Sequence, residues 1–328
     1  MKILHVLNSK ISLPARGYGG TERVVWSLAK AQIAAGHQVQ FLWGQAPHLP
    51  SNARVIDSKL PLEEQIGSWP DIVHFHCPFA GELNTPYVST EHGNARGKRE
   101  YGVNTIFLSQ KHAQNHHAEC YVYNGLDWQE YGEPKFSAPK DYFHFLGKAS
   151  WPIKNLSGTI DIARASDVKL NVLGGSRVNF SRQFYCYLDR RLSFAGMVGG
   201  ERKNQLIKHS QGLIFPVRWH EPFGLAIIES LYLGTPVFST PYGALPEIIT
   251  EVETGLLSSD YQELQQAIAN VSHFNRNTCH EVAVTQFSHH RMAQGYQVCY
   301  ERVLAGEALN KSAPFSDQNY HQLLPVSS

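Results

Sequence analysis

The segment from Pro216 to Glu247 constrains the fold of this chain more than any other stretch. It contains apolar residues with the three- and four-residue spacing of one helix face, namely Leu225, Ile228, Leu231 and Tyr232. A glycine at 234 and a proline at 236 then end the predicted helix. Val237 and Phe238 begin a short strand immediately afterwards. The segment therefore predicts a loop, a helix and a strand in succession, the building unit of an α/β fold.

Two carboxylates flank the start of this helix. Glu221 precedes it and Glu229 lies within it. Phe223, Gly224 and Leu225 occupy the turn between them, and backbone N–H groups at a helix N-terminus are unpartnered donors that bind anions. Eight helical positions rise about 12 Å, at roughly 1.5 Å each. The spacing suits an extended ligand with a hydroxyl-rich ring at each end and a phosphate pair between, although an amphipathic helix with two solvated carboxylates is the alternative.

The segment resembles the E-x7-E motif of retaining GT-B glycosyltransferases of glycosyltransferase family 4. It continues into the G-T-P-V and G-x-x-P-E segments of that family, here Gly234–Val237 and Gly243–Glu247. The resemblance implies an α/β chain with the GT-B fold, in which two Rossmann-like domains face each other across a cleft. It also implies that Glu229 binds the ribose of a nucleotide-sugar donor and that Glu221 holds hydroxyls of the transferred sugar. Phe223, Gly224 and Leu225 then contact the diphosphate between them.

Composition sets the class of protein. A chain of 328 residues with 42% hydrophobic and 17% charged residues is typical of two globular domains. A formal net charge of +1 gives no argument for nucleic acid. No apolar run is long enough for a membrane span, and Met1 leads into a strand-like segment without a signal-peptide pattern. The five cysteines are odd in number and scattered, as in reduced thiols. We expect a cytoplasmic protein, with peripheral contact at the inner membrane left open.

The seventeen histidines raise the question of a metal site. His74 and His76 fall on one face of a predicted strand, whereas Cys77 falls on the other. His116 and His117 form a second pair. No carboxylate or second cysteine pair completes either ligand set, so the sequence predicts no metal.

Strand-like and helix-like segments alternate in two series, which is typical of parallel sheets covered by helices. The first series comprises strands at 3–7, 39–43, 71–76, 87–90, 105–108 and 120–123 and a helix at 21–35. The second comprises strands at 142–146, 169–173 and 212–216 and helices at 155–165 and 205–209. We predict a first domain over 1–137, on the acceptor side, and a second over 138–288, on the nucleotide-sugar side. In the family, a last helix, here around 289–310, packs back on the first domain. A polar, proline-containing tail over 311–328 reads as loosely held.

A glycine-rich loop follows the first strand. The run Gly17-Tyr18-Gly19-Gly20-Thr21-Glu22 has glutamate where a dinucleotide-binding fingerprint needs its third glycine. It resembles the G-G-x-E loop of family 4 enzymes, which implies that Gly19 and Gly20 approach the nucleotide-sugar diphosphate closely. Thr21 is a candidate for the helix cap. A plain turn is the alternative.

A histidine stands at the end of a later strand. The run Ser89-Thr90-Glu91-His92-Gly93 resembles the T-x-H-G/D segment of the family, whose histidine reaches the transferred sugar. A structural histidine is the alternative, and Glu91 departs from the apolar residue expected there. The basic run 96–100 follows. It reads as a solvated face, with contact to an acceptor phosphate or a membrane surface as the alternative.

Two lysines open the second half of the chain. Lys148 follows a strand and Lys154 precedes a helix. The family has arginine and lysine here, and both cations clamp the donor diphosphate and offset charge on the leaving group. Lys148 departs from the arginine and provides a point charge without the bidentate fork. The segment Phe194–Val198 resembles the F-x-G-x-V loop beside the nucleobase, so Val198 is a base-packing candidate, or else a core valine.

The resemblance implies a retaining hexosyltransferase that needs neither cofactor nor metal. The substrate is a UDP- or GDP-sugar, and the acceptor is a hydroxyl of a glycan, a lipid-linked or a small molecule, as in polysaccharide biosynthesis. The expected catalytic residues are His92, Lys148, Lys154 and Glu221. Two alternatives stay open: a non-catalytic sugar-nucleotide or glycan-binding protein on the same fold, and an NAD-dependent oxidoreductase. The missing third glycine and the missing acid after the second strand argue against the oxidoreductase.

Overall fold

The computed structural model describes residues 1–77, 79, 81–137, 139–180 and 184–327. Position 138, the predicted start of the second domain, and position 328, the end of the predicted tail, lie outside the described residues. The chain divides into two compact units. The first unit is Met1–Asp127 with Phe287–Tyr320, and the second unit is Trp128–Gln286 with His321–Ser328.

The strands are short and alternate with the helices along the chain. In chain order they are β1 (Lys2–Leu7), β2 (Gln38–Trp43), β3 (Ala53–Val55), β4 (Ile72–Phe75), β5 (Tyr87–Thr90), β6 (Arg99–Glu100), β7 (Thr105–Ile106), β8 (Phe143–Leu146), β9 (Leu170–Leu173), β10 (Val178–Asn179), β11 (Tyr185–Cys186), β12 (Leu192–Gly196), β13 (Leu213–Phe215), β14 (Val237–Ser239), β15 (Gly255–Leu257) and β16 (Phe315–Ser316).

The helices range from one turn to more than four turns. They are α1 (Gly20–Ala34), α2 (Leu62–Ile66), α3 (Gln110–Gln114), α4 (Leu156–Ala165), α5 (Gly200–Lys208), α6 (Leu225–Tyr232), α7 (Leu245–Ile248), α8 (Tyr261–Ala269), α9 (Arg276–Gln286) and α10 (His289–Leu304). Single 3-10 turns lie at Trp128–Tyr131, Pro152–Lys154 and Val271–His273. None of the helices formed by the described residues combines the length and the apolar composition that crossing a bilayer would need.

The first unit is built on a six-stranded parallel sheet with the order β3-β2-β1-β4-β5-β7. Counted along the chain, this is the order 3-2-1-4-5-6 of a doubly wound fold, which reverses between β1 and β4. Both central strands are buried along nearly their whole length, as expected for parallel strands covered on two faces. Helix α10 returns from the end of the chain and packs against α1 and β5.

The second unit repeats this architecture. Its six-stranded sheet has the order β12-β9-β8-β13-β14-β15 with every pair parallel, again 3-2-1-4-5-6 along the chain. The order reverses between β8 and β13. Helix α6, with its apolar residues buried, packs against α9 and β14. The GT-B prediction of two Rossmann-like domains therefore agrees with two sheets of the same order.

Three local predictions differ from the structure. The predicted strand at 120–123 is reduced to a single bridge between Tyr121 and Phe107. The second unit begins at Trp128 and not after the proline-containing segment 132–139, because Trp128 stacks on Tyr232 with ring centroids 4.4 Å apart. The tail is also ordered by pairing: β16 is antiparallel to β6, and Leu324 N donates to Arg218 O over 2.7 Å.

Candidate functional site

The predicted site residues of the second unit lie where its strands end. Lys148 follows β8, Val198 follows β12, and Glu221 lies in the loop after β13. Strands β8 and β13 are the neighbours between which the strand order reverses. Doubly wound folds bind ligands outside the carboxyl ends of the strands at this reversal point. The topology therefore brings Lys148 and Glu221 to the edge of the sheet at which a ligand is expected.

Glu221 and Lys154 form a direct ion pair. The ammonium of Lys154 lies 2.6 Å from Oε2 of Glu221, and the indole Nε1 of Trp219 donates to the same oxygen over 2.8 Å. The ammonium also lies 4.9 Å from the Trp219 ring centroid and 5.3 Å from that of Phe215, within cation–π range. Within the described chain, Oε1 of Glu221 has no hydrogen-bond partner. The carboxylate is thus held through Oε2, and its Oε1 is left without a hydrogen bond in the described chain.

The backbone of the Glu221 loop is fixed from two sides. The N–H of Ala244 donates to the Glu221 carbonyl over 2.9 Å. Gly243 has a φ of +68°, and a Cβ there would lie 2.2 Å from that carbonyl oxygen, so the close approach requires glycine. On the other side, Asn155 caps α4 through Gly158 N and donates to the carbonyl of Pro216 over 2.7 Å. The start of α4 and the loop after β13 are therefore tied together beside Lys154.

Helix α6 begins at Leu225 with an open N-terminus. Gly224 is its N-cap residue in the left-handed region, with a φ of +113°, and no side chain caps the helix. Neither Gly224 nor Leu225 donates its N–H to another group of the described chain. Phe223, which precedes them, is 2% exposed and anchors the turn in the core. These two N–H groups make an anion-binding helix end three and four residues from Glu221.

Glu229 is buried and paired, which the sequence did not predict. Its Oε1 lies 2.5 Å from the ammonium of Lys203 and accepts a hydrogen bond from the Tyr131 hydroxyl over 2.5 Å. The Lys203 ammonium also lies 4.8 Å from the Tyr131 ring centroid. Lys203 is on α5, and Lys203 and Glu229 are 4% and 7% exposed. No motif marks Lys203 or Tyr131, and the available signal was a lysine on the inward face of an amphipathic helix.

Lys148 and Val198 make different local contacts. The ammonium of Lys148 lies 5.4 Å from the Trp151 ring centroid and forms no ion pair within the described residues. Val198 is half-buried in the turn between β12 and α5 and donates its N–H to Gly196 over 3.0 Å. The predicted loop around Val198 is partly wrong, since its first residues form the end of β12. The structure thus joins Lys154 with Glu221, whereas Lys148 follows the adjacent strand β8 and Val198 follows the edge strand β12.

In the first unit, His92 follows β5 and contacts a second histidine. Its Nε2 lies 3.0 Å from Nδ1 of His76, and the carbonyl of the next residue, Gly93, accepts from Nε2 of His112 over 2.9 Å. Burial lowers the pKa of His92 to about 4 and that of His112 well below the usual value. Both rings are therefore neutral at pH 7. His92 is half-buried, and its Nδ1 has no partner among the described residues.

The acid beside His92 is turned away from it. Glu91 accepts a hydrogen bond from Gly93 N over 3.0 Å and lies 3.4 Å from Arg99. Burial raises the pKa of Glu91 against the opposing effect of Arg99. Arg99 also lies 5.1 Å from the Tyr101 ring centroid. One cation of the run 96–100 is therefore an internal counter-ion, whereas Arg96 and Lys98 are exposed.

The glycine loop opens α1 as predicted, with a different cap. The N-cap residue is Gly19, with a φ of +156° and no side-chain cap, so the prediction that Thr21 caps the helix is wrong. Gly20 is the first helical residue. Glu22 is buried and accepts a hydrogen bond from the Ser9 hydroxyl over 2.6 Å. A Cβ on Gly19 would lie 3.0 Å from Oε2 of Glu22, so the glycine and the glutamate of this motif fit one another sterically.

Three histidines of the first unit lie close enough to be considered as metal ligands. Ligand atoms of His5, His74 and His76 fall within 4.8 Å of one another, and the rings of His74 and His76 share a face as the strand alternation predicted. Both ring nitrogens of each histidine already have a hydrogen-bond partner in the described chain. A ring nitrogen that binds a metal cannot also keep its hydrogen bond. Since all of these nitrogens are hydrogen-bonded, the cluster as observed is a hydrogen-bonded network.

Known proteins resemble this chain in sequence and fold. Residues 141–273 match the family model described as "Glycosyl transferases group 1". An uncharacterized 41.2 kDa protein in the cps region of Klebsiella pneumoniae is 24% identical over 153 residues, which cover 44% of this chain and only 41% of that protein's length. The phosphatidyl-myo-inositol mannosyltransferase of Mycobacterium tuberculosis is 23% identical over 308 residues, 76% of this chain and 81% of the relative.

Solved structures match over nearly the full length. AviGT4, a glycosyltransferase involved in avilamycin A biosynthesis, has a TM-score of 0.73 and 22% identity, covering 93% of this chain and 98% of its own. The Anabaena protein Alr3699/HepE, solved in complex with UDP and glucose, has a TM-score of 0.64 and 16% identity and covers 92% and 99%. The chain therefore has the GT-B fold, and its residues 141–273 are similar to the proteins described as "Glycosyl transferases group 1".

Proposed function

We propose that this protein is a retaining hexosyltransferase that moves a sugar from a UDP- or GDP-sugar to a hydroxyl of a glycan, a lipid-linked or a small-molecule acceptor without a metal. The observation that carries the proposal is the Glu221 carboxylate. It is pinned through Oε2 by Lys154 and Trp219, and its Oε1 is unpartnered within the described residues. It lies at the strand ends where doubly wound folds bind nucleotides. A carboxylate fixed by a lysine suits sugar hydroxyls, since charge-assisted hydrogen bonds are about twice as strong as neutral ones.

The diphosphate is proposed to bind between the lysines and the start of α6. Lys154 has two further N–H groups beyond the one that it donates to Glu221. Lys148 has no counter-ion in the described chain, and the N–H groups of Gly224 and Leu225 have no acceptor there. These groups offset the negative charge that develops on the departing phosphate, which is the charge that fixed dipoles and cations stabilise most. In this proposal they take the role that a divalent ion has in other transferases.

The nucleoside is proposed to bind at Glu229 and Val198. Lys203 pairs with the Glu229 carboxylate in a buried place, and a carboxylate oxygen is a strong acceptor for the two ribose hydroxyls. Val198 is half-buried in the turn after β12, where an apolar side chain suits the face of a base. The solved complex of the Anabaena protein with UDP and glucose supports a uridine nucleotide here.

The transfer itself is proposed to follow a front-side path. His92 contacts the transferred sugar, as the family resemblance implies, and the acceptor hydroxyl attacks from the face that the phosphate leaves. The leaving phosphate takes the proton of that hydroxyl. Glu221 is committed to Lys154 and Trp219, which suits sugar binding better than attack on the anomeric carbon. The anomeric configuration is then retained in one step.

The names of two relatives support an envelope acceptor. One protein acts on phosphatidyl-myo-inositol by name, and another is encoded in a cps region. We propose a role in polysaccharide synthesis in the cytoplasm, with a lipid-linked acceptor reached at the inner membrane. Exposed Arg96 and Lys98 are the cations proposed to meet that surface.

The experiment is a transfer assay with a panel of UDP-, GDP- and ADP-sugars. We expect turnover of one UDP- or GDP-hexose, an unchanged rate in EDTA and a product with the anomeric configuration of the nucleotide-sugar. Glu221→Gln and Lys154→Met should both lower the rate of transfer by at least about tenfold. Asp141→Asn, which alters an exposed carboxylate of the same unit paired with Lys169, is the matched control and should keep it. An inverted product or strict dependence on a divalent ion would contradict the proposal.

A further inference from the structure

Three imidazoles form a continuous hydrogen-bonded line in the first unit. His92 Nε2 lies 3.0 Å from His76 Nδ1, and His76 Nε2 lies 2.9 Å from His5 Nδ1. His5 Nε2 then lies 2.7 Å from Oε1 of Gln32. His5 is fully buried, His76 is 4% exposed and Gln32 is 2% exposed. The line therefore begins at a buried amide on α1 and ends at the predicted substrate histidine.

The amide oxygen sets the direction of every hydrogen bond in this line. A carbonyl oxygen only accepts, so His5 donates from Nε2 to Gln32. A neutral imidazole has one N–H, and His5 therefore accepts at Nδ1 from the Nε2–H of His76. By the same step His76 accepts at Nδ1 from the Nε2–H of His92. His92 is left with an unprotonated Nδ1.

Neutrality of the three rings follows from their surroundings. Burial lowers the pKa of His5 to about 4, and burial together with the neighbouring histidines lowers that of His76 well below its usual value. Burial likewise lowers the pKa of His92 to about 4. No carboxylate is paired with any of the three rings in the described chain. Each ring therefore has a single N–H at pH 7.

A second branch holds the Gln32 amide in this orientation. Its Nε2 donates to the Tyr300 hydroxyl over 3.1 Å, and that hydroxyl lies 2.7 Å from Nδ1 of His74. His74 Nε2 lies 2.7 Å from the Thr90 hydroxyl, which in turn lies 3.1 Å from the Tyr296 hydroxyl. The residues come from β4, β5 and α10. A network anchored on three elements makes rotation of the amide costly, because each buried polar group would lose its partner.

We propose that Gln32, His5 and His76 are positioning residues that fix His92 as its Nε2–H tautomer, so that its Nδ1 lone pair accepts a hydrogen bond from a hydroxyl of the transferred sugar. The identity of the substrate rests on the proposed function, whereas the tautomer does not. The consequence is a selection among sugars. A hydroxyl facing Nδ1 is bound, whereas a carboxylate or a deoxy carbon at that place has no proton to donate.

The test reads the tautomer directly in the full-length protein. Long-range ¹H–¹⁵N correlation spectra of protein with ¹⁵N-labelled histidine distinguish protonated from unprotonated ring nitrogens, and His92→Ala assigns the His92 signals. We expect a protonated Nε2 and an unprotonated Nδ1 for His92. Gln32→Met and His76→Leu should replace that single tautomer by a mixture, whereas Gln32→Glu, which keeps an acceptor for His5, should preserve it. His48→Gln, an exposed histidine of the same unit, is the control.

A Nδ1–H tautomer of His92 in the unaltered protein would overturn the proposal, and so would a His92 spectrum unchanged by both Gln32→Met and His76→Leu. Addition of ZnCl₂ alone tests whether the histidines form a metal site instead. If Zn²⁺ shifts the ¹⁵N signals of His5, His74 and His76 together and EDTA reverses the shift, the three residues form a metal site and the positioning network is refuted. In the transfer assay, Gln32→Met should lower kcat/KM by about tenfold, the loss expected for one hydrogen bond, and leave UDP binding unchanged. If the spectra are as expected but the protein transfers no sugar, the proposed function is refuted and the assignment of the His92 tautomer still holds.

Discussion

The buried pair of Lys203 and Glu229 makes the sharpest stability prediction. Their charged atoms are 2.5 Å apart, and the two residues are 4% and 7% exposed. Lys203→Met removes the ammonium and leaves a buried carboxylate with the Tyr131 hydroxyl as a remaining partner. Breaking a buried ion pair from one side costs about 3–5 kcal/mol of unfolding free energy. At roughly 2–4 °C per kcal/mol for a unit of this size, the melting temperature should fall by about 6–20 °C.

The control is an exposed pair in the same unit. Lys169 and Asp141 are 2.9 Å apart, with side chains 63% and 82% exposed. Lys169→Met should change the unfolding free energy by about 0–1 kcal/mol, because solvent screens the pair. The measurement is urea unfolding followed by tryptophan fluorescence, with thermal melts as a second readout.

A double variant separates the pair from simple loss of packing. Lys203→Met combined with Glu229→Leu removes both charges, and the unfolding free energy should recover most of what Lys203→Met loses. The reasoning fails if Lys203→Met costs no more than Lys169→Met. It also fails if the losses of the two single variants simply add in the double variant.

Three further predictions concern the predicted site and the histidines. Glu221→Gln keeps the size of the side chain and removes the charge. It should lower kcat/KM by about 10- to 100-fold, which is the loss expected for one charged hydrogen bond. The measurement is initial-rate kinetics with the nucleotide-sugar, and an unchanged kcat/KM would contradict the prediction. Lys148→Ala should lower kcat by about 10²-fold, whereas Lys148→Arg keeps the charge and most of the activity; equal losses in both would exclude an electrostatic role. The unfolding free energy should rise with pH between about 4 and 6.5. Burial lowers the pKa of His5 and of His92 to about 4 in the folded protein, whereas the pKa of histidine in the unfolded chain is near 6.5. As the pH falls, the unfolded chain therefore binds protons first and is stabilised relative to the folded protein. Urea midpoints at pH 7 and pH 5 test this, and equal midpoints would show that the buried rings take up protons without unfolding.

Sequence reasoning succeeded where local chemistry decides the structure. The helix at 225–232 could be predicted because its apolar spacing, its glycine start and its glycine end all lie within a dozen residues. Two parallel sheets covered by helices followed from the alternation of strands and helices, whereas the short strands β3, β12 and β15 were not predicted. The cap of α1 was predicted wrongly for a related reason. Thr21 has the side chain of a cap, but Gly19 occupies the position because the chain needs its unusual backbone angles there.

The partners of the carboxylates could not be predicted. Tyr131 and Glu229 are 98 residues apart in sequence, and Lys203 reaches Glu229 from a different helix. Neither Tyr131 nor Lys203 belongs to a motif, and a lysine in a sequence normally indicates an exposed position. The strand at 120–123 failed in the opposite way, since its apolar alternation is genuine but only Tyr121 forms a bridge. Contacts between distant segments decide such cases, and a single sequence does not contain them.

The two units also show how far the fold itself determines chemistry. Both sheets have the order 3-2-1-4-5-6, and in both the polar residues of interest follow the carboxyl ends of strands, His76 and His92 after β4 and β5 and Lys148 and Glu221 after β8 and β13. In the first unit these are neutral imidazoles, in which burial suppresses the charge of His76 and His92. In the second unit they are charged side chains, and Glu221 forms an ion pair with Lys154. One topology therefore supplies a group of neutral imidazoles in one unit and a charged pair in the other. The side chains at the strand ends, and not the sheet order, decide which ligand group each place binds.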